Sequence, residues 1–456
     1  MLARLVMTDR IDHRLTNADS SSSPSELYLD AYYLKSAPGE LPSNTDFRNA
    51  RTSTDKESLG NAKTSADKDS RSKVLPVSDA KNMRMAQTWE LYQFGERSEN
   101  KRPADIQRPA DVQRPPEQRR PADVQRPTDQ GKPTDRRTEA NWPEVRLRPG
   151  EKIQDAINRA PNGALVIVPP GVYNERLNIT KDNITLKGDG KAILDLSNKS
   201  GGAINISDRK NITIDGFEIR NVRGGETPTA IRVDGSSDNI KIINNDIHHV
   251  ESSSNAHAIG VFGTKAEPLK NITIANNKIH DLKLGQSEAV VLNGNIDGFK
   301  ITDNSIYNTD NIGIDIIGGE GVGRAGIDRA RNGVIARNTI RNVDSLFNPT
   351  YGERSAAGIY VDGGKNVIIE DNNVQKCNYG IELASERNGW NTEGIIVRRN
   401  TISGSDLAGI SLGGGSKRNG GVTDSVVEDN DLRGNHAPIW QQNNVRNVTI
   451  RNNRTR

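Results

Sequence analysis

Isoleucine, valine and leucine recur from about residue 180 to the end of the chain in short runs that alternate with polar residues. The runs themselves return at intervals. Ten segments, beginning at 183, 211, 239, 271, 298, 332, 366, 394, 424 and 447, share one pattern: Asn-Ile-Thr-Ile, two polar residues, Asn, then x-Ile. Their starts lie 23 to 34 residues apart, the period of a solenoid, a propeller or a similar array. Each interval holds three short strands; in one of them they fall at 230–234, 239–243 and 246–249, separated by turns. Alternation within a strand turns Ile inward and polar residues outward. No segment between strands is long or periodic enough for a crossover helix. Asn-Gly and Asp-Gly are not placed as two-residue hairpin links between these strands, which argues against a propeller blade. The pattern predicts an all-β, three-sided parallel coil of about ten turns.

Two further patterns fit that coil. Ile153, Ala156, Ile157 and Ala160 recur at i, i+3, i+4 and i+7, one face of a short helix that Pro161 and Gly163 end. Residues 164–168 then read as a buried strand. The second Asn of the repeat would fall at the same place on eight of the ten turns: Asn245, Asn277, Asn304, Asn338, Asn372, Asn400, Asn430 and Asn453. Such residues stack into a ladder at the ~4.8 Å strand spacing.

Composition changes the picture for the first part of the chain. Residues 1–100 are rich in Ser, Asp, Lys and Arg with few periodic apolar positions, and read as disordered. Over 101–140 the unit Arg-Pro-Ala-Asp-Val-Gln repeats, with Pro103, Pro109, Pro115, Pro121, Pro127 and Pro133 in phase. Regular proline with alternating charge makes an extended linker that buries no core. Apolar residues make up 33 % of the chain and aromatics 4 %, low for one dense core. A net charge of +3 calls for neither nucleic acid nor an acidic membrane. No apolar run reaches a membrane span, and 1–14 lacks the apolar stretch of a secretory signal. A single cysteine, Cys377, excludes an intrachain disulfide and reads as a buried small side chain.

The helix followed by Ala164-Leu-Val-Ile-Val-Pro-Pro-Gly-Val-Tyr173 and then Asn-ladder coils resembles the right-handed parallel β-helix superfamily of pectate lyases and related carbohydrate-active proteins. The resemblance covers about 142–456. It implies that the helix caps the first coil and that the outer face of the first strand of each coil lines a substrate groove. It does not choose a chemistry.

Aligned first strands place two outward columns on that face. One runs Arg232, Gly260, Val291, Asp315, Tyr360, Glu382, Ser411. The other runs Asp234, Phe262, Asn293, Ile317, Asp362, Ala384, Gly413. Asp315, Tyr360, Asp362 and Glu382 fall on three successive coils, and Asp362 and Glu382 are expected to be exposed. The longest insertions, at 318–332, 344–358 and 385–393, flank the same coils and bring Arg324, Tyr351, Arg354, Glu386 and Trp390. Carboxylates beside aromatic rings suit a sugar, since rings stack on its apolar face while carboxylates bond hydroxyls or move protons.

The candidate catalytic residues are therefore Asp362, Glu382, Asp315, Tyr360 and Glu386. The candidate substrate-binding residues are Arg354, Arg324, Trp390, Tyr351, Asn293 and Arg232. Adjacent-coil carboxylates suit a retaining glycosidase, and carboxylates two coils apart, ~9–10 Å, suit an inverting one. Glycan cleavage by paired carboxylates is the leading expectation, with Asp362 and Glu382 as acid and base. A polysaccharide lyase or uronate epimerase is the second, with Tyr360, Arg354 or Arg324 assisting and Ca²⁺ held by the Asp cluster; no Lys stands in either column. A non-catalytic glycan binder or adhesin is the third. No other cofactor or metal is expected; the partner is a polysaccharide, the chain a monomer, and the location extracellular or at the cell surface.

Three further signals read as structural. Gly321-Val-Gly323-Arg-Ala-Gly326 matches GxGxxG but lacks the helix a dinucleotide site needs. His248 and His280 share an outward place without a third metal ligand. Asn308-Thr-Asp310 matches one polygalacturonase motif without the others, and the Arg-x-Pro-x-x-Arg of classical pectate lyases is missing.

Overall fold

The computed structural model describes residues 142–456; the expectations for 1–100 and 101–140 lie outside the described residues. The described chain winds as a right-handed parallel β-helix. One sheet stacks the first strands in chain order: Leu177–Ile179, Ile204–Ser207, Thr229–Asp234, His257–Gly263, Val290–Gly294, Ile314–Ile317, Ala357–Asp362, Tyr379–Ala384, Ala408–Leu412 and Ile439–Gln441. These ten strands match the coil number read from the repeat. The other two faces form one twenty-stranded sheet.

Each coil turns where the repeat places a residue able to adopt left-handed backbone angles. The first position of the motif has positive φ at Asn183, Asn211, Asn239, Asn271, Asn332, Asn366, Asp424 and Asn447, with Gly298 and Gly394 in the remaining two coils. Asn, Asp and Gly pay least for that conformation. The residue before each ladder Asn is left-handed too: Asn244, Asn276, Asp303, Arg337, Asp371, Arg399, Asp429 and Asn452.

The ladder is continuous. Asn277 donates from its backbone N and its Nδ2 to Asn304 Oδ1 (2.9 and 3.0 Å), while Nδ2 also reaches the Ile242 carbonyl (2.8 Å). The same contacts repeat from Asn245 to Asn453. A buried amide thereby has its donors and acceptor satisfied on every coil.

Inside the coil, Ile231, Ile259, Val290, Ile314, Ile359, Ile381 and Ile410 stack in register without exposure. At the N-terminal end α1 (Ile153–Arg159) is the one α-helix among the described residues, and it buries Ile153, Ala156 and Ile157 on the first coil. Ala160, read as helical, is its C-cap. Glu175 takes the free Ile153 and Gln154 N–H groups (2.9 and 3.2 Å), satisfying donors that a helix start leaves open. No described helix is long and apolar enough to cross a membrane.

Candidate active site

Backbone pairing runs Arg232, Gly260, Val291, Asp315, Tyr360, Glu382, Ser411 without a slip and adds Trp440 as the next member. Tyr360 thus stands between Asp315 and Glu382, one coil from each. Asp362 pairs with Ala384, so it lies diagonally from Glu382. Glu386, just past the Glu382 strand, donates its backbone N–H to Asp362 Oδ1 (2.8 Å) and fixes that carboxylate. The fold brings Asp315, Tyr360, Asp362, Glu382 and Glu386 into one cluster.

The expectation that Asp362 and Glu382 are exposed needs correction. Asp315, Tyr360, Asp362 and Glu382 are each buried, at 5 % exposure or less. Outward on a β-helix means away from the core, and column neighbours ~4.8 Å off cover one another. The flanking insertions are pinned to one another. The Trp390 ring lies against Gly319 and under the Arg329 guanidinium (4.7 Å), and Asn419 Nδ2 holds the Glu386 carbonyl (3.0 Å).

Burial sets the protonation of the cluster. Desolvation, reinforced by the Glu386 charge, pushes Glu382 up to about 8, and its buried Oε1 accepts no hydrogen bond among the described residues. Tyr360 is raised well above the ordinary phenol value by burial, then by Asp362, Glu386, Glu382 and Asp315. At neutral pH the site therefore holds a protonated carboxyl and a neutral phenol amid carboxyl groups, a combination able to give a proton to one oxygen while a second carboxyl acts as base.

The remaining predicted residues lie elsewhere. Arg232 forks onto Asp234 (2.7 and 2.9 Å) over the Phe262 ring, three coils from Asp315. Asn293 is fully buried between Phe262 and Ile317, and neither atom of its amide finds a partner among the described residues. Arg354 is held by Asp406 (3.5 Å) and Asp344 (3.8 Å). Arg324 is exposed in its loop, and the Tyr351 hydroxyl reaches the Gln286 carbonyl at 3.5 Å.

A third outward column escaped the sequence reading. It holds Thr229, His257, Glu288, Ile312, Ala357, Tyr379 and Ala408, each just before the aligned Ala or Gly. At this corner Ala230, Ala258 and Ala289 face the core next to Ile231, Ile259 and Val290, so strict alternation fails. Only small residues fit: a Cβ on Gly358 would meet Val374 at 2.7 Å, and one on Gly380 would meet Ile402 at 2.3 Å. Extending the alignment by one residue would have found the column. His257 donates from Nδ1 to the Glu288 carbonyl (3.0 Å), and burial pushes it down to about 4.

The other signals are structural. Asp328 accepts the Gly321 and Gly323 N–H groups (2.5 and 2.7 Å), filling the glycine loop from within. His248 and His280 stack at 5.0 Å, and Tyr307 continues the stack. Cys377 is fully buried and pushed up to about 12 by desolvation.

Residues 202–455 match the family described as right handed beta helix region. The chain belongs to that family. The chain is 36 % identical over 334 residues to an uncharacterized protein, YwoF, of Bacillus subtilis (strain 168), over 67 % of this chain and 70 % of that protein. Among solved structures, this β-helix is similar to the GH136 lacto-N-biosidase of Eubacterium ramulus (14 % identity, TM-score 0.48, 67 % of this chain and 64 % of that one). It is also similar to an alginate lyase of Paenibacillus sp. (13 %, TM-score 0.44, 67 % and 99 %) and to the periplasmic alginate epimerase AlgG (13 %, TM-score 0.38, 68 % and 83 %). A fold does not fix a reaction, so the chemistry of this β-helix has to be argued from its own residues.

Proposed function

We propose that the protein is a glycoside hydrolase acting on a polysaccharide laid along the first-strand face. The observation that carries this reading is Glu382: a buried carboxyl held protonated near neutrality, one coil from Tyr360 and diagonal to Asp362. In the proposed reaction Glu382 gives its proton to the glycosidic oxygen as the bond breaks. Asp362, oriented by the Glu386 N–H, is the second carboxylate: it takes the proton of the water that bonds to the anomeric carbon, or bonds that carbon itself until water displaces it. Tyr360 stays neutral between them and offers a hydrogen bond to a sugar hydroxyl.

A neutral polymer is favoured over a uronate. Lyase or epimerase chemistry calls for a cation against the sugar carboxylate; the column from Val291 through Asp315, Tyr360 and Glu382 to Ser411 offers none, and Arg354 is engaged by Asp344 and Asp406. A polymer substrate is met outside the cell, so an extracellular or surface location goes with this reading.

The test is a screen of neutral and uronic-acid polysaccharides with and without EDTA. New reducing ends without an ultraviolet-absorbing product, indifferent to EDTA and abolished in Glu382→Gln and Asp362→Asn, are the expected result. An EDTA-sensitive ultraviolet rise on a uronate polymer would overturn it.

A further inference from the structure

The first-strand face continues beyond the carboxylate cluster toward the last coil, and what it presents there changes in kind. Trp440, on the strand Ile439–Gln441, is in register with Ser411, which is in register with Glu382. Its backbone is therefore two coils from Glu382, ~9–10 Å along the axis. The indole is 44 % exposed. Of the large apolar side chains left exposed among the described residues (Trp142, Val172, Ile327, Phe347 and Trp440), it alone stands on a first strand.

Trp440 is also built in. Its ring stacks on Tyr379 at 6.2 Å with planes 28° apart. Ala408 occupies the coil between them and is small enough for the two rings to meet above it. Tyr379 packs in turn with Tyr360, Ala357, Ala384 and Ala408 in an apolar cluster separate from the core. An aromatic strip thus runs from the tyrosine inside the carboxylate cluster to an open indole face. Beside that face Gln442 Nε2 donates to Ser411 Oγ (2.9 Å), which places polar groups along its edge.

We propose that Trp440, supported by Tyr379, is a saccharide-stacking subsite that holds one sugar of the bound chain on the C-terminal side of the carboxylates. An aromatic face flanked by hydrogen-bonding side chains complements a pyranose, which is apolar on its flat face and polar around its rim. A tryptophan present only to shield Tyr379 would bury more of its own surface. The inference rests on the polysaccharide reading above, and it adds a direction: the chain continues past Glu382 toward the last coil.

The test uses the full chain in affinity electrophoresis through gels that contain β-glucan, xylan, galactomannan, alginate or polygalacturonate. The wild type is expected to be retarded by at least one of them. In that gel Trp440→Ala should weaken retention about ten-fold, the scale of one lost stacking contact. Trp440→Leu, which keeps apolar bulk without a ring face, should lose as much, while Trp440→Phe recovers most of it. Trp142→Ala should bind as the wild type does. Retention that Trp440→Ala and Trp440→Leu leave intact, or no retention in any gel, overturns the proposal. Glu382→Gln separates it from the catalytic reading. Trp440-dependent retention of a polymer that the wild type does not cleave leaves the subsite standing and the hydrolase reading lost; cleavage indifferent to Trp440 does the reverse.

Discussion

Glu382 keeps its proton near neutrality because leaving it would put a charge in a buried site beside Glu386. That has a consequence for stability whose sign is fixed. The unfolded chain holds this proton only below about 4.5, the folded chain up to about 8. Stability from this group is fully present below 4.5, falls as pH rises between the two values, and stays lost above 8. Urea denaturation between pH 5 and 9 should show a decline on the order of a few kcal/mol that Glu382→Gln removes. Activity should fall over the same basic limb as the proton donor is lost, so a rate that rises through pH 8 would count against Glu382 as the acid. The sequence places this residue in its column correctly by alternation alone. Its burial is not legible there, because alternation says which way a side chain points and not how closely its column neighbours cover it.

Among the elements, the Asn ladder and the stacked isoleucines follow from the repeat, since a period with one Asn and alternating Ile has few other ways to satisfy amides and bury side chains. The corner before each first strand did not follow. There two consecutive residues turn inward, and the Ala or Gly that permits this looks unremarkable in a list of letters. The ladder should be sensitive in the middle of the stack. Asn338 donates to Ile301 O and Asn372 Oδ1 and accepts from Asn304, so Asn338→Ala leaves several buried groups without partners. A loss of roughly 3 kcal/mol is expected in chemical denaturation, against a smaller one for Asn453→Ala at the end of the stack. Gly333 offers a second check. A Cβ there would sit 2.0 Å from the Phe299 ring, so Gly333→Ala must displace that ring at a cost of about 1–3 kcal/mol.

Taken whole, the described chain is close to one-dimensional: each coil rests on its two neighbours, and α1 covers the first. Stability should then vary along the axis. Amide exchange is expected to be slowest in central strands such as Ala330–Ala336 and Lys365–Glu370 and fastest in Val445–Arg451, whose side chains are only partly covered. Uniform protection along the axis would contradict this. The Asn ladder carries one further consequence. Every amide in it points the same way, oxygen toward the preceding coil and nitrogen toward the next, from Asn245 to Asn453. A coil wound two residues out of step would still point its isoleucines inward, but it would carry its Asn out of the stack and break the sequence of donors and acceptors on both sides. Each new coil is thus checked against the one beneath it as it is laid down. The row of asparagines acts as a proofreading device for the winding of the chain, rejecting errors of two residues, which keep the alternation and which the similar, interchangeable isoleucines of the core would accept.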